Sequence, residues 1–169
     1  SKKDVGTEFI WTLTFVIDKD FVEKVYVPEE GPDSHSDCMK RKKVLIVEDN
    51  DMNLEIIQFM LEDWGAETVS ARNGKEALDS FRQSEQNEFD YIFMDIMMPV
   101  MDGLTATKEI RRLNRPDAAT IPIIAMSANA FQEDARKSLE AGMNAHLAKP
   151  LKMDLVIATI ARCYAKIIH

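Results

Sequence analysis

Beyond Lys43 the sequence alternates short apolar runs with amphipathic segments, and this alternation constrains the fold more than any other feature. Most of the apolar runs are typical of strands that are buried on both faces of a sheet. The predicted strands are Val44–Glu48, Glu67–Ala71, Tyr91–Met94, Ile121–Met126 and Ala145–Ala148. Apolar residues at helical spacing predict helices over Asp51–Trp64, Lys75–Arg82, Leu104–Leu113, Phe131–Ala141 and Met153–Ile167.

Strands that alternate with helices indicate a parallel sheet with helices on both of its faces. Right-handed crossover connections leave few ways to order such strands. We therefore predict an α/β fold, a doubly wound five-stranded parallel sheet in the flavodoxin-like order 2-1-3-4-5.

A smaller segment precedes this pattern. Residues 9–17 alternate apolar and polar side chains, as a half-buried strand does, and residues 21–27 can complete a β-hairpin. Residues 28–41 are polar and rich in turn formers, which is typical of a linker. We therefore expect a hairpin-like unit over 1–27, a linker over 28–41 and the α/β domain over 42–169.

Charge and cysteine content narrow the function classes. Residues 1–43 contain nine acidic and eight basic residues, so nearly all of the net charge of −8 lies beyond Lys43. This excess of negative charge argues against binding to nucleic acid. No apolar run is long enough to span a membrane, and the first residues lack the apolar core of a signal peptide. Cys38 and Cys163 fit neither a metal site nor a disulfide framework, so we expect a cytoplasmic location.

Polar groups follow four of the five predicted strands, namely Glu48 with Asp49, Asp95, Ser127 and Lys149. The carboxyl ends of parallel strands lie along one edge, where α/β proteins bind ligands. Each group taken singly has an ordinary structural explanation, as a helix cap, a turn residue or a solvated lysine. Turn chemistry does not readily explain why all of them fall at strand ends, so we predict a shared cleft.

Three carboxylates in one cleft repel each other and require a cation. Oxygen ligands without nearby His or Cys favour Mg²⁺, with Mn²⁺ as an alternative. A carboxylate can also accept a phosphoryl group covalently, and Lys149, the Ser127 hydroxyl and the metal ion would neutralise the phosphoryl oxygens. The residues therefore predict Mg²⁺-dependent phosphorylation of an aspartate.

Residues 42–167 closely resemble the receiver (response-regulator) domain family through the motifs VLIVEDN, FMDIMMPVMDG, IIAMSA and HLAKP, in that order. The resemblance implies that Asp95 is the phosphoacceptor, and that Asp49 binds the metal directly while Glu48 acts mostly through water. It also implies that the Met97 backbone carbonyl binds the metal and that Ser127 is the switch hydroxyl. Lys149 would hold the phosphoryl group and precede a cis bond to Pro150.

One position departs from the usual family pattern. His146 stands three residues before Lys149, where the family typically has the Tyr or Phe that moves together with the switch hydroxyl. An imidazole can swing inward in a similar way, but it is smaller and can titrate. We expect Ser127 and His146 to form the switch pair.

The segment GTEFIWTLTFVI resembles the last strand of a histidine-kinase ATP-binding domain. The two resemblances imply the C-terminal receiver of a hybrid sensor kinase, whose parent can be membrane-anchored. Its phosphodonor would be a phosphohistidine, in the kinase's own dimerisation domain or in a histidine-phosphotransfer protein. The receiver would pass on the signal by conformational switching or phosphotransfer, with at most self-catalysed phosphorylation and dephosphorylation. We expect no contact with membrane or nucleic acid. Residues 1–27 are expected either to pack on the receiver domain or to self-associate through an exposed strand edge.

The sequence fits the alternative functions less well. An aspartate-nucleophile phosphatase of the haloacid-dehalogenase type needs a second aspartate where this chain has Met97. A receiver that only scaffolds and is never phosphorylated would not need the complete acidic set. An EF-hand starting at Asp49 would need a glutamate where Met60 stands, and no G-x-G-x-x-G follows the first strand. The methionines at 94, 97, 98 and 101 are expected to fill gaps in the core and loops.

Overall fold

The computed structural model describes residues 38–128 and 132–167. Their elements are β1 (Lys43–Val47), α1 (Asp51–Asp63), β2 (Glu67–Ala71), α2 (Gly74–Gln83), β3 (Tyr91–Asp95), α3 (Gly103–Arg111), α4 (Pro116–Thr120), β4 (Ile123–Ser127), α5 (Gln132–Glu140), β5 (Ala145–Ala148) and α6 (Met153–Ile167). All five predicted strands and all five predicted helices are present. The predicted hairpin over 1–27 and most of the predicted linker lie outside the described residues.

The five strands form one parallel sheet in the order β2-β1-β3-β4-β5, which confirms the predicted topology. Val47 lies beside Met94, and the next residue of β3, Asp95, lies beside Met126. Ser127 in turn lies beside Ala148. This register aligns the carboxyl ends of β1, β3, β4 and β5 along one edge of the sheet, so the residues that follow them are brought together.

Each face of the sheet supports its own apolar core, because successive side chains of a strand point to opposite faces. On one face Leu45, Ile92 and Ile123 pack with buried residues of α2, α3 and α4. On the other face Val44, Ile46, Tyr91, Phe93 and Ile124 pack with buried residues of α1 and α6. The central strands are therefore buried on both sides, as their uninterrupted apolar sequences predict.

Short polar side chains begin three of the helices. The side chains of Asn50, Asn73 and Asp102 accept hydrogen bonds from backbone N–H groups in the first turns of α1, α2 and α3. At the start of α3, Thr105 N donates to Asp102 Oδ1 at 2.8 Å. These caps fix the directions in which the chain leaves the ends of β1, β2 and β3.

The short helix α4 was not among the predicted helices. Pro116 occupies the first turn of this short helix, where its missing N–H removes no helical hydrogen bond. The buried carboxylate of Asp117 accepts hydrogen bonds from the Arg115 guanidinium at 2.6 and 2.7 Å and from Asn87 N at 2.8 Å. The contact with Asn87 spans 30 residues of sequence. Together these contacts stabilise a helix that has too few residues to show periodicity.

Gly103, at the start of α3, lies against the backbone of the last residue of β3. A Cβ atom at position 103 would lie 2.1 Å from the backbone oxygen of Asp95 and 2.9 Å from Met94 Cγ. Neither the strand backbone nor the packed methionine can move freely, so only glycine fits here.

We expect Gly103→Ala to lower the free energy of unfolding by about 3 kcal/mol, because overpacking against the backbone forces β3 and α3 apart. Urea denaturation followed by circular dichroism measures this loss. Lys108→Ala, an exposed change in the same helix, is the matched control and should alter stability by less than about 0.5 kcal/mol. Equal stability of the two variants would show that α3 does not press on Asp95.

Candidate active site

The ammonium group of Lys149 lies between two carboxylates at the carboxyl edge of the sheet. Its Nζ donates hydrogen bonds to Asp95 Oδ2 at 2.6 Å and to Glu48 Oε2 at 2.5 Å. Asp95 is the last residue of β3, Glu48 follows β1, and Lys149 follows β5. Residues that are 54 and 101 positions apart in sequence therefore form one ion-paired cluster, as the alignment of strand ends predicts.

The two paired carboxylates are buried, with 6% of Asp95 and 1% of Glu48 exposed. Burial of a charge is costly unless it is compensated, and here each carboxylate receives a second hydrogen bond. Met97 N donates to Asp95 Oδ1 at 3.2 Å, and the Asn53 side-chain amide donates to Glu48 Oε1 at 2.9 Å. These bonds fix the orientation of both groups.

Asp49 completes an acidic triad. It is exposed, and one of its carboxylate oxygens lies within 4.8 Å of an oxygen of Glu48 and of Asp95. Three carboxylates against one ammonium leave an excess of negative charge at the rim of the cleft. An all-oxygen donor set with this charge fits Mg²⁺ and, through the same ligand chemistry, Mn²⁺.

Opposing influences act on the pKa of Lys149. Burial lowers the pKa of the ammonium, but the hydrogen bonds to Asp95 and Glu48 raise it by more, so it lies above the ordinary lysine value of 10.5. Lys149 is therefore a fixed positive charge at neutral pH. It is suited to electrostatic compensation rather than to proton transfer.

The predicted switch residues are also in contact. Ser127, the last residue of β4, has its Oγ 2.8 Å from Nε2 of His146 in β5. The backbone N–H of Lys149 donates to the Ser127 carbonyl at 2.7 Å, and the peptide bond between Lys149 and Pro150 is cis, as the resemblance implies. The pairing of β4 with β5 thus places the Ser127 hydroxyl beside the His146 imidazole and the Ser127 carbonyl beside the backbone of Lys149.

Asn53 is a residue of this site that was not predicted, and the predicted packing of the Met97 side chain is wrong. Asn53 was not singled out, although its place in the first turn of α1, five residues after Glu48, lets its side chain reach back to the strand end. The side chain of Met97 was expected to fill a gap, but it is 82% exposed. The neighbouring methionines behave as expected, since Met94 is buried and Met98 and Met101 pack on the core.

A comparison with protein-family models decides how these features are to be interpreted. Residues 44–161 match the model described as the response regulator receiver domain. The match covers more than half of the chain and includes β1, β3, β4 and β5 together with the clustered residues that follow them. This chain belongs to the response regulator receiver domain family.

Relatives of this receiver domain include hybrid kinases. It is 39% identical over 121 residues to hybrid signal transduction histidine kinase I of Dictyostelium discoideum, covering 70% of this chain but only 7% of that kinase. Among solved structures, the receiver domain of a sensor histidine kinase from Pseudomonas aeruginosa PAO1 has a magnesium ion coordinated in its active-site cleft. That receiver domain is 37% identical to this chain and superposes on it with a TM-score of 0.65. The match covers 74% of this chain and 98% of that one.

A third relative was crystallised with a partner. The receiver domain of a Saccharomyces cerevisiae response regulator, solved in complex with a histidine phosphotransfer signalling protein, has 31% identity and a TM-score of 0.60. The match covers 69% of this chain and 84% of that one. Such relatives place this receiver domain in two-component phosphorelay signalling.

The family assignment also tests the predictions about enzymatic activity. A receiver domain is not a classical enzyme, and the assignment does not favour the phosphatase alternative. In the described part of the chain, no helix is both long and apolar enough to cross a membrane.

Proposed function

We propose that Asp95 accepts a phosphoryl group from a phosphohistidine to form an acyl phosphate. The observation that carries this proposal is the buried Asp95 carboxylate held by Lys149 beside two further acidic groups. In the reaction an Asp95 carboxylate oxygen attacks phosphorus as the phosphorus–nitrogen bond breaks. The electron pair of that bond stays on the leaving imidazole nitrogen, which takes up a proton.

The metal ion in this proposal would be held by the carboxylates of Glu48, Asp49 and Asp95 and by the backbone carbonyl of Met97. Glu48 is engaged on both oxygens by Asn53 and Lys149, which supports a contribution through water rather than direct ligation. Bound Mg²⁺, or Mn²⁺ in its place, would supply neutralisation of the charge on the phosphoryl oxygens.

The chain's own residues supply the rest of the chemistry. Lys149 orients Asp95 before transfer and offsets the negative charge of the phosphoryl group after it. Ser127 offers its hydroxyl to a phosphoryl oxygen and would stabilise the product by about 1 kcal/mol. The same groups would support self-catalysed phosphorylation by a small phosphodonor and self-catalysed hydrolysis.

The proposal is tested by incubating the chain with a small phosphodonor, such as acetyl phosphate, and Mg²⁺, and then measuring its intact mass. Gain of one phosphoryl group is expected, and addition of a chelator should prevent it. A chain that gains no phosphoryl mass under these conditions contradicts the proposal, and with it the role given to Asp95.

The outer face of α1 offers a docking surface for the phosphodonor. Met52, Ile56 and Phe59 are 70%, 59% and 74% exposed, and Phe59 lines a shallow groove together with Met60 and Trp64. Large apolar side chains that recur at helical spacing on a solvent face mark an interaction site. α1 begins at Asp51, two residues after Asp49 of the acidic triad, so a helical partner on this face would lie next to Asp95. We therefore propose that the phosphohistidine-bearing helix bundle docks on α1.

We expect Phe59→Glu to slow phosphotransfer from a phosphorylated histidine phosphotransfer protein by about tenfold or more, because it places a charge in an apolar contact. The protein from the yeast complex serves as the donor, and loss of its phosphoryl label is followed with time. Phosphorylation by acetyl phosphate should be unchanged. Leu139→Glu, at an exposed apolar residue of α5, is the matched control. An equal effect of both variants would contradict docking on α1.

For the whole protein we propose a cytoplasmic C-terminal receiver of a hybrid sensor kinase over residues 42–169, preceded by a kinase remnant over 1–27 and a linker over 28–41. If the remnant mediates self-association, the full chain should elute from size exclusion at a larger apparent mass than residues 40–169. Identical monomeric elution of the two would contradict self-association.

A further inference from the structure

We propose that Ser138 is a positioning residue which sets the tautomer of His146 and so the direction of a hydrogen-bond chain leading from Ser127 to α5. This inference goes beyond the proposed phosphorylation of Asp95 and rests on it only where the phosphoryl group is invoked. This hydrogen-bond chain joins β4, β5 and α5 and ends at the backbone carbonyl of Asp134.

The chain is built from three short contacts. Ser127 Oγ lies 2.8 Å from His146 Nε2, and His146 Nδ1 lies 3.2 Å from Ser138 Oγ. The Ser138 hydroxyl donates to the backbone carbonyl of Asp134, one turn earlier in α5, at 2.8 Å. Ser138 is fully buried and Ser127 is 7% exposed, so each hydroxyl requires hydrogen-bond partners within the protein.

The tautomer follows from counting protons. A serine hydroxyl has one proton to donate, and that of Ser138 is donated to the Asp134 carbonyl. Ser138 Oγ can then only accept from the imidazole, so Nδ1 of His146 carries the ring proton. In a neutral ring Nε2 is consequently an acceptor, and it receives the proton of the Ser127 hydroxyl.

This direction conflicts with the proposed role of Ser127 in the phosphorylated state. There the hydroxyl proton is donated to a phosphoryl oxygen, so Ser127 can no longer donate to His146. The three residues can keep their positions if every hydrogen bond between them reverses its donor and acceptor. Nε2 of His146 then donates to Ser127 Oγ, and the Ser138 hydroxyl leaves Asp134 and donates to Nδ1.

Reversing these hydrogen bonds changes neither the number of protons on the imidazole nor its charge. The ring loses the proton on Nδ1 to water and gains one on Nε2 from water, so it is neutral before and after. The ring lines a cavity of about 250 Å³ between α5, β5 and α6, which gives water a route to it. The backbone carbonyl of Asp134 loses its hydroxyl partner, and in this way α5 senses the state of Asp95 without a large side-chain movement.

The first test needs no phosphorylation. Nitrogen NMR of ¹⁵N-histidine-labelled protein distinguishes a protonated from an unprotonated ring nitrogen, and His146→Phe assigns the signal. At a pH where the ring is neutral we expect the proton on Nδ1. A free protein with the proton on Nε2 would overturn the proposal, whatever the outcome at Asp95.

The second test uses beryllofluoride with Mg²⁺ as a stable mimic of the phosphoryl group. Its binding should move the proton of His146 to Nε2. Ser138→Ala should already favour Nε2–H without the mimic and should bind it about fivefold more tightly, because no hydrogen bond need be reversed. Thr159→Ala, which removes a buried hydroxyl from the cavity that His146 lines, is the control and should change neither property.

The outcomes separate the two proposals. Wild type that fails to bind beryllofluoride, or Asp95→Asn that binds it equally well, contradicts the proposed phosphoacceptor. A mimic that binds without changing the His146 tautomer overturns the reversal, as does Ser138→Ala with wild-type tautomer and affinity. If Ser138→Ala does not fold, the two wild-type spectra decide the question alone.

Discussion

Replacing Asp95 with asparagine is expected to abolish the gain of phosphoryl mass from acetyl phosphate and Mg²⁺. The amide is nearly isosteric and its oxygen can still accept from Lys149, but its NH₂ group cannot accept the bond that Met97 N donates. The fold should therefore persist with a loss of about 1 kcal/mol. The amide is a poor nucleophile, and it removes one of the three charges that would hold the cation. Intact mass spectrometry after a fixed incubation measures the difference directly.

The stretch that contains Asp95 also supplies a matched control for this experiment. Asp102 is exposed and caps α3, a role that asparagine fills equally well. We therefore expect Asp102→Asn to gain phosphoryl mass like wild type. Phosphorylation of Asp95→Asn to the wild-type level would place the acceptor elsewhere in the chain.

The second large effect is expected for Lys149→Ala. Its ammonium is the charge that bridges Asp95 and Glu48, and after transfer it would face the phosphoryl oxygens. Removal of a preorganised group of this kind typically slows a reaction by about 100-fold or more. We expect that reduction in the rate of phosphorylation by acetyl phosphate at saturating Mg²⁺. Lys152→Ala, an exposed lysine three residues later, should react at the wild-type rate.

Lys149→Ala should also lower the stability of the folded protein. Without Lys149 two buried carboxylates are left uncompensated, which we expect to cost about 3 kcal/mol in urea denaturation without Mg²⁺. Because the pKa of Lys149 is raised in the folded protein, its contribution is complete below the unfolded value and is lost as pH rises through the folded one. The difference between wild type and variant should thus hold from neutral pH to about 10 and shrink above it. A variant as stable as wild type at neutral pH would show that the ion pairs contribute nothing.

Predictions from local sequence succeeded where the signal is periodic or positional. Five apolar runs, separated by segments whose apolar residues recur at helical spacing, were sufficient to predict the topology. Parallel strands with right-handed crossovers admit few arrangements. The carboxylates and Lys149 could be placed together for the same reason, since register aligns the strand ends. The short helix α4 could not be predicted, because its five residues show no period and the contacts of Asp117 span distant sequence.

By itself the sequence determined the sheet, the edge at which its polar groups gather and the residue types available there. The tertiary structure alone decided how those groups are partnered. It showed that Lys149 holds Glu48 as well as Asp95, and that His146 faces both Ser127 and Ser138. A hydrogen bond depends on distance and direction within a few tenths of an ångström, and these are fixed only when strands and helices from distant parts of the chain have packed.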